Sequence, residues 1–204
     1  MNVTGPNGGY TTLSDHGVKP NSTICLVICL FSIPENFDDV VFDLYRGFPY
    51  HKRDYLEASC LIFNRTAFQR VVDYGHNTAT AVRHSGDIMD NAHRTGHHTI
   101  SVSLKNIPSN VTHLFFTLSA WNSPNIAQYP NPSFKFYDAS KPGKDLCKTT
   151  FHHARNSQAV VMCSISRNSQ GRWEMFESGQ ISAGNAKNYT SLVSTIQQLI
   201  SRGV

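Results

Sequence analysis

The chain has 204 residues, a length that suits one domain and can bury a hydrophobic core without disulfide or metal staples. Hydrophobic residues make up 40% of the chain and charged residues 16%, which excludes an intrinsically disordered protein. The net charge is +4 with histidine neutral, and no run of lysine or arginine exceeds two residues, so no nucleic-acid-binding face is expected.

Cysteine usage and the start of the chain bear on the cellular compartment. The five cysteines include no C-x-x-C pair, and their odd number argues against a disulfide framework and a structural zinc site. Residues 1–21 lack the basic start and apolar stretch of a signal peptide. These features predict a cytoplasmic protein.

Short alternating segments dominate the chain. Residues 1–22 are rich in Gly, Asn and Thr and are predicted to form a flexible N-terminal segment ahead of one domain over residues 23–204. In the clearest segment, apolar residues at 100, 102 and 104 alternate with polar residues at 101, 103 and 105, which is typical of a half-buried strand. A long loop rich in His and Asp is expected before it. The predicted strands are residues 24–32, 40–46, 55–63, 67–74, 99–105, 111–121, 133–138, 146–151, 159–166 and 172–176.

Only the end of the chain has helical periodicity. Apolar residues at 192, 193, 196, 199 and 200 form one stripe, which predicts an amphipathic helix over residues 188–202. Asn188 or Thr190 can cap its start, and Gly203 follows its end. The stripe must pack either on the rest of the domain or on a partner. The predicted fold is all-β: a two-sheet β-sandwich of about ten short strands with a C-terminal helix.

Six stretches resemble one known family when they are read in order and spacing. They are residues 56–60 (Leu-Glu-Ala-Ser-Cys), 82–87 (Val-Arg-His-Ser-Gly-Asp), 100–108, 111–117, 134–138 and 173–180. This series is similar to the TerD domain of tellurium-resistance and stress-response proteins. The resemblance implies a β-sandwich that binds calcium through an acidic loop. It also implies, for some eukaryotic members, a link to cyclic nucleotides, although no residue here points to a nucleotide pocket.

The calcium loop departs from the family pattern. Calcium takes six to eight oxygen ligands, several of them anionic. In residues 86–100 only Asp87 and Asp90 are acidic, and basic residues follow where the family has its acidic run. Tyr55 and Glu57 stand at the positions of the family's two strand aspartates. Calcium binding is therefore predicted to be weak or lost, and no other cofactor is expected.

The same loop leaves three interpretations open. The candidate metal-binding residues are Glu57, Asp87, Asp90, Asn91, His93, His97 and His98. They can hold residual calcium, or the histidines can bind zinc, copper or nickel, since imidazole suits those ions. Alternatively, the segment is a solvated loop that has drifted from an ancestral calcium site.

No catalytic pattern stands out. The sequence contains no G-x-S-x-G, phosphate loop or H-E-x-x-H motif. Cys163 with His152 or His153 is the remaining nucleophile–base combination, but Cys163 lies in an apolar run and is expected to be a buried, inert thiol. His84 is expected to hydrogen-bond the loop backbone. The chain is therefore not expected to be an enzyme.

Two functional hypotheses follow. The first is a non-enzymatic, TerD-like stress-response adaptor that binds protein partners and meets a membrane only through a complex. The second is a metal-ion or small-ligand sensor that uses the Asp/His loop 86–99. Residues 47–51 (Gly-Phe-Pro-Tyr-His) either pack over the sandwich edge or anchor a partner.

Overall fold

The computed structural model describes residues 3–4, 10–22, 28–48, 54–150, 154 and 156–203. The predicted strand residues 24–27 and 151, the loop residues 49–51, and His152 and His153 lie outside this part of the chain. The strands, in chain order, are β1 (Val3–Thr4), β2 (Tyr10–Thr11), β3 (Ile28–Ser32), β4 (Asp39–Gly47), β5 (Leu56–Asn64), β6 (Ala67–Val72), β7 (Thr78–Ala79), β8 (Val82–His84), β9 (Ile88–Asp90), β10 (Thr95–Ser103), β11 (His113–Ala120), β12 (Ser133–Asp138), β13 (Asp145–Thr150), β14 (Ala159–Arg167) and β15 (Trp173–Ser182). The α-helix α1 spans Thr190–Ser201, and short 3-10 turns occupy Ser14–His16, Leu104–Asn106 and Ile126–Gln128.

These strands form two antiparallel sheets, as the alternating pattern predicts. The first has the order β13-β12-β4-β10-β8-β7, with β9 paired to the start of β10. The second has the order β3-β15-β14-β11-β5-β6, and β1 and β2 form a separate small ribbon. The all-β sandwich with a C-terminal helix is confirmed.

The main core lies between the two sheets. Inward residues of β4 alternate with outward ones, and Val40, Phe42 and Leu44 are all buried. The Phe42 ring stacks on Phe116 of β11 in the opposite sheet, with 3.5 Å between ring centroids. Such contacts between inward side chains hold the two layers together.

A second apolar layer covers the outer face of the second sheet. Leu192, Ile196 and Leu199 of α1 pack on the face that includes Phe63 and Phe115. The helix stripe therefore packs on the sandwich, which decides between the two options that the sequence left open. Because both faces of the sheet are covered, β5 and β14 are buried along nearly their whole length. Across the part of the chain that the structure describes, no helix is long and apolar enough to cross a membrane.

The predicted loop over residues 75–98 is the main error in the strand assignments. It contains β7, β8 and β9 and the first four residues of β10, which extends back to Thr95. A tight turn with Arg94 at φ 53° returns the chain from β9 to β10. Strands β7 and β9 are held by backbone pairing and are largely exposed. In β8 and at the start of β10 the buried positions include the polar residues His84 and His98, so these segments show no apolar alternation in the sequence.

Candidate functional site: a buried ionic cluster

Arg46 stands at the centre of a buried polar cluster at one end of the sandwich. It continues the inward face of β4 after Leu44 and is only 2% exposed. Its Nη2 donates to Asp87 Oδ1 at 2.8 Å and lies 3.5 Å from Met89 Sδ, while the guanidinium carbon is 5.9 Å from the Tyr55 ring centroid. Nε and Nη1 find no hydrogen-bond partner among the described residues.

His98 lies beside the Arg46–Asp87 pair. Its Nε2 is 3.1 Å from the Leu56 carbonyl oxygen and 3.1 Å from Asp87 Oδ1. Both neighbours are acceptors, so Nε2 carries the proton and donates. Burial, together with the nearby charge of Arg46, holds the pKa of His98 well below its ordinary value. The imidazole is therefore neutral and acts as a hydrogen-bond donor.

His84 makes a similar contact with β5, at the carbonyl two residues further along that strand. Its Nε2 donates to the Ala58 carbonyl oxygen at 3.2 Å, and its Nδ1 accepts from the Gly86 N–H at 2.9 Å. Both ring nitrogens are thus used in one neutral tautomer, and burial lowers the pKa of His84. His84 binds the backbone that follows it, as the sequence predicted.

The imidazoles of His84 and His98 donate hydrogen bonds to β5 where a neighbouring strand would otherwise do so. The pairing of β6 with β5 begins only at Cys60, opposite Val72, so within the described part of the chain the first residues of β5 have no neighbouring strand on that edge. The carbonyls of Leu56 and Ala58 point to this edge and accept from His98 and His84, which extend from the other sheet. Side chains of one sheet therefore satisfy the backbone of the other.

Glu57 contributes a further acidic group at the start of β5. Its side chain is buried, with the residue 4% exposed, and Oε2 has no partner among the described residues. Burial raises the pKa of Glu57 to about 7, with Asp87 and Asp73 raising it further and Arg46 opposing them. The cluster therefore contains a carboxyl that is partly protonated near neutral pH.

Asp73 and Tyr189 tie the cluster to the helix. The Tyr189 hydroxyl donates to Asp73 Oδ2 at 2.9 Å and lies 2.8 Å from Ser59 Oγ. Asp73 Oδ1 also accepts from the backbone N–H groups of Gly75 and His76, at 3.0 Å and 2.7 Å. The start of α1 is thereby bonded to β5 and to the turn after β6.

The candidate metal-binding residues divide into three groups in space. Glu57, Asp87 and His98 belong to the buried cluster. Asp90, Asn91 and His93 lie in the exposed turn between β9 and β10, where His93 Nδ1 is 2.7 Å from Asp90 Oδ2. His97 faces outward and stacks on Tyr45 with 5.7 Å between ring centroids. Alternation along β10 separates His97 from His98, because neighbouring residues of a strand face opposite ways.

Calcium does not fit the described residues of this cluster. Asp87 is already bonded to a guanidinium, and the imidazole of His98 presents a donor rather than an oxygen. A second cation beside Arg46 would be repelled in a buried site, and calcium needs several free oxygens. Among the residues that the structure describes, no group of three or more His, Cys, Asp or Glu side chains is arranged to hold a metal ion.

Arg46 is the member of the cluster that the sequence motifs missed. Part of the signal was available: Val40, Phe42 and Leu44 are apolar at every second position, and the same period places residue 46 on the inward face.

The proposed nucleophile is enclosed by the fold. Cys163 is fully buried in β14, and Cys60 is equally buried in β5. Burial raises the pKa of the Cys60 thiol, because the thiolate is poorly solvated inside a protein. The burial of Cys163 agrees with the buried thiol expected from its apolar run, and His152 and His153 lie outside the described residues.

Comparison with known proteins identifies the family. The sequence model of the TerD domain matches residues 54–192. The chain belongs to the TerD domain family. Over 136 residues it is 25% identical to tellurium resistance protein TerZ of Serratia marcescens, covering 63% of this chain and 67% of that one.

Two crystal structures share the TerD fold. A homologue of telluride resistance protein (TerD) from Streptomyces coelicolor A3(2) superposes with a TM-score of 0.63 at 11% identity, covering 76% of this chain and 96% of that one. A protein of unknown function superposes with a TM-score of 0.64 at 12% identity, covering 78% of this chain and 98% of that one. At these identities the likeness shows the fold alone.

The buried groups of this TerD domain predict a stability maximum in mildly acidic solution. The pKa of Glu57 is raised from an ordinary 4.5 to about 7. Its contribution to the free energy of unfolding is therefore fully present below pH 4.5 and is lost as the pH rises through 7. From about pH 6.5 to about pH 8 the free energy of unfolding should fall by about 1 kcal/mol. Because the pKa values of His84 and His98 are lowered from 6.5, their contribution is present above that pH and is lost as the pH falls.

Urea denaturation across this range checks the prediction, with Glu57→Gln as the matched variant. The variant should show no decline in stability between about pH 6.5 and about pH 8 while keeping the loss on the acid side. If the stability of the variant falls with rising pH as much as that of the wild-type protein, a group other than Glu57 is responsible for the decline.

Proposed function

We propose that this protein is a non-enzymatic stress-response adaptor, a TerD domain that binds protein partners through its surface and has a degenerate calcium loop. One observation carries the proposal. Four of the polar side chains that could have formed a metal or catalytic site, those of Arg46, His84, Asp87 and His98, are bonded to each other or to backbone groups. His84 and His98 donate to the carbonyls of β5, and Arg46 binds Asp87.

The outer surface supports a binding role. Large apolar side chains are exposed at several positions outside the two cores: Tyr45, Phe68, Tyr74, Ile88 and Ile181. Aromatic and aliphatic side chains of this kind supply most of the binding energy in protein interfaces. The family relationship, with a relative that is named a tellurium resistance protein, supports a role under chemical stress. A membrane would be met only through such a partner complex.

The alternative is a metal-ion or small-ligand sensor built on residues 86–99. Asp90 and His93 lie close together in the exposed turn, and Asn91 stands beside them. A carboxylate and an imidazole are ligands for zinc, copper or nickel. Two side chains on one turn are a weak site, because structural and catalytic sites use three or four protein ligands.

Ligand-dependent unfolding separates the two hypotheses. The thermal midpoint of the untagged chain should be the same in EDTA, in millimolar calcium and in micromolar zinc. A ligand held a hundredfold above its dissociation constant would stabilise the fold by about 2.7 kcal/mol, which is readily measured. A calcium- or zinc-dependent rise that disappears in Asp90→Asn would favour the sensor.

The partner itself is sought by size-exclusion chromatography of native extract, combined with cross-linking of the full chain. The adaptor should elute well above its own mass of 22.8 kDa, in a complex with other polypeptides. Elution as a single chain under both resting and tellurite-stressed conditions would contradict the adaptor role.

A further inference from the structure

We infer that Arg46 is the resident cation of the buried cluster, so that a guanidinium from the chain itself stands where the family resemblance places a metal ion. This inference concerns the electrostatics of the fold and does not depend on the adaptor role.

The position of Arg46 is the first argument. The resemblance assigns cation-site positions to Tyr55, Glu57 and the loop of residues 86–100, which come from different parts of the chain. Asp90, His93 and His97 of that loop are exposed or face outward. Four of the positions, Tyr55, Glu57, Asp87 and His98, interact with Arg46. The guanidinium bonds Asp87 at 2.8 Å and lies over the Tyr55 ring at 5.9 Å. Its charge also acts on both Glu57 and His98. One side chain from β4 therefore interacts with these four positions.

The charge balance is the second argument. Glu57 is buried, the side chain of Asp87 is a quarter exposed, and the charge of Asp87 raises the pKa of Glu57. Buried carboxylates need a nearby cation, because the low dielectric of the interior leaves their charge poorly solvated. Arg46 supplies that cation covalently, and an arginine side chain keeps its proton throughout the physiological range.

Local packing on β10 is the third argument. Gly96 lies against the guanidinium, and a Cβ at this position would be 3.0 Å from Met89 Sδ and 3.3 Å from Arg46 Nη1. A side chain there would press on the guanidinium itself and on Met89, which contacts it. Because residue 96 has no side chain, there is room for the Arg46 guanidinium. This is expected if the surrounding structure is shaped to hold that group.

A tethered cation has different properties from a bound ion. It is not removed by a chelator, and its occupancy does not follow the ion concentration of the cell. The fold of this TerD domain is therefore expected to be independent of calcium, with an internal ion pair between β4 and the segment that joins β8 to β9 in the first sheet.

Charge-compensating variants test the inference. Arg46→Met removes the charge but keeps most of the volume, and should reduce the folding equilibrium constant by about a hundredfold or more, measured by urea denaturation at neutral pH. Adding Glu57→Gln and Asp87→Asn to Arg46→Met removes the need for a cation and should recover about tenfold or more of that loss. Arg83→Met, at an exposed position on β8, is the matched control and should change the constant by less than about threefold.

Several results would overturn the inference. One is an Arg46→Met variant that is as stable as Arg83→Met. Another is a triple variant that is no more stable than Arg46→Met alone, since the loss would then come from packing. If Arg46→Met does not fold, the triple variant still decides, because a folded triple variant supports the role of charge and an unfolded one contradicts it. A calcium-dependent rise in the unfolding midpoint of the wild-type protein would also contradict it.

Discussion

Replacing Leu192 and Ile196 together by alanine is expected to lower the free energy of unfolding by about 4–8 kcal/mol, since each large-to-alanine change in a core costs about 2–5 kcal/mol. Both side chains are fully buried between α1 and the second sheet. Alanine leaves cavities beside Phe63 and Phe115 that the rigid sheet cannot close. Urea denaturation followed by circular dichroism measures the loss.

The exposed face of the same helix provides the control for this pair. Gln198→Ala should change the unfolding free energy by less than about 0.5 kcal/mol. If the double variant does not fold, Leu192→Ala alone gives the measurement. Deleting residues 188–204 should uncover the apolar face around Leu61 and Phe115 and cause aggregation. A soluble, monodisperse deletion variant would contradict the structural role of α1.

Replacing His84 and His98 together by leucine is expected to lower the free energy of unfolding by about 2–6 kcal/mol, about 1–3 kcal/mol for each buried carbonyl that loses its donor. Leucine is of similar size and apolar, so the loss reports the hydrogen bonds to Ala58 and Leu56 rather than an emptied site. The effect should be largest near neutral pH, where the wild-type imidazoles are neutral and donate.

Two histidines of the same region form a matched control. His93 lies in the exposed turn and His97 faces outward against Tyr45. The double change His93→Leu and His97→Leu should cost much less than the buried pair, because water replaces the lost polar contacts. Equal losses of stability in the two double variants would contradict the inference that His84 and His98 supply the hydrogen bonds of a neighbouring strand to β5.

The predicted loss of calcium binding and the presence of Arg46 agree with one another. The resemblance places Tyr55 and Glu57 where the family has aspartates, which leaves few carboxylates for calcium. The remaining carboxylates, Glu57 and Asp87, still favour a nearby positive charge, and Arg46 supplies it from the chain itself.

The sequence by itself determined the architecture of the two layers. Strand β12 and residues 99–103 of β10, with one face in the core, show alternation of apolar and polar residues, so their existence and orientation could be predicted. The stripe at 192, 196 and 199 determined the helix in the same way, because its period of 3.6 residues is independent of what it packs against.

Only the tertiary structure decided the composition of the site. The candidate residues between 87 and 98 are close in sequence, but strand pairing extends β10 back to Thr95 and places His97 and His98 on opposite faces. Arg46 is 41 residues from Asp87 in the chain, so no local pattern links them. Periodicity reports which side of an element a residue faces, whereas the partners that it meets depend on which strands pair and on how the two sheets are stacked.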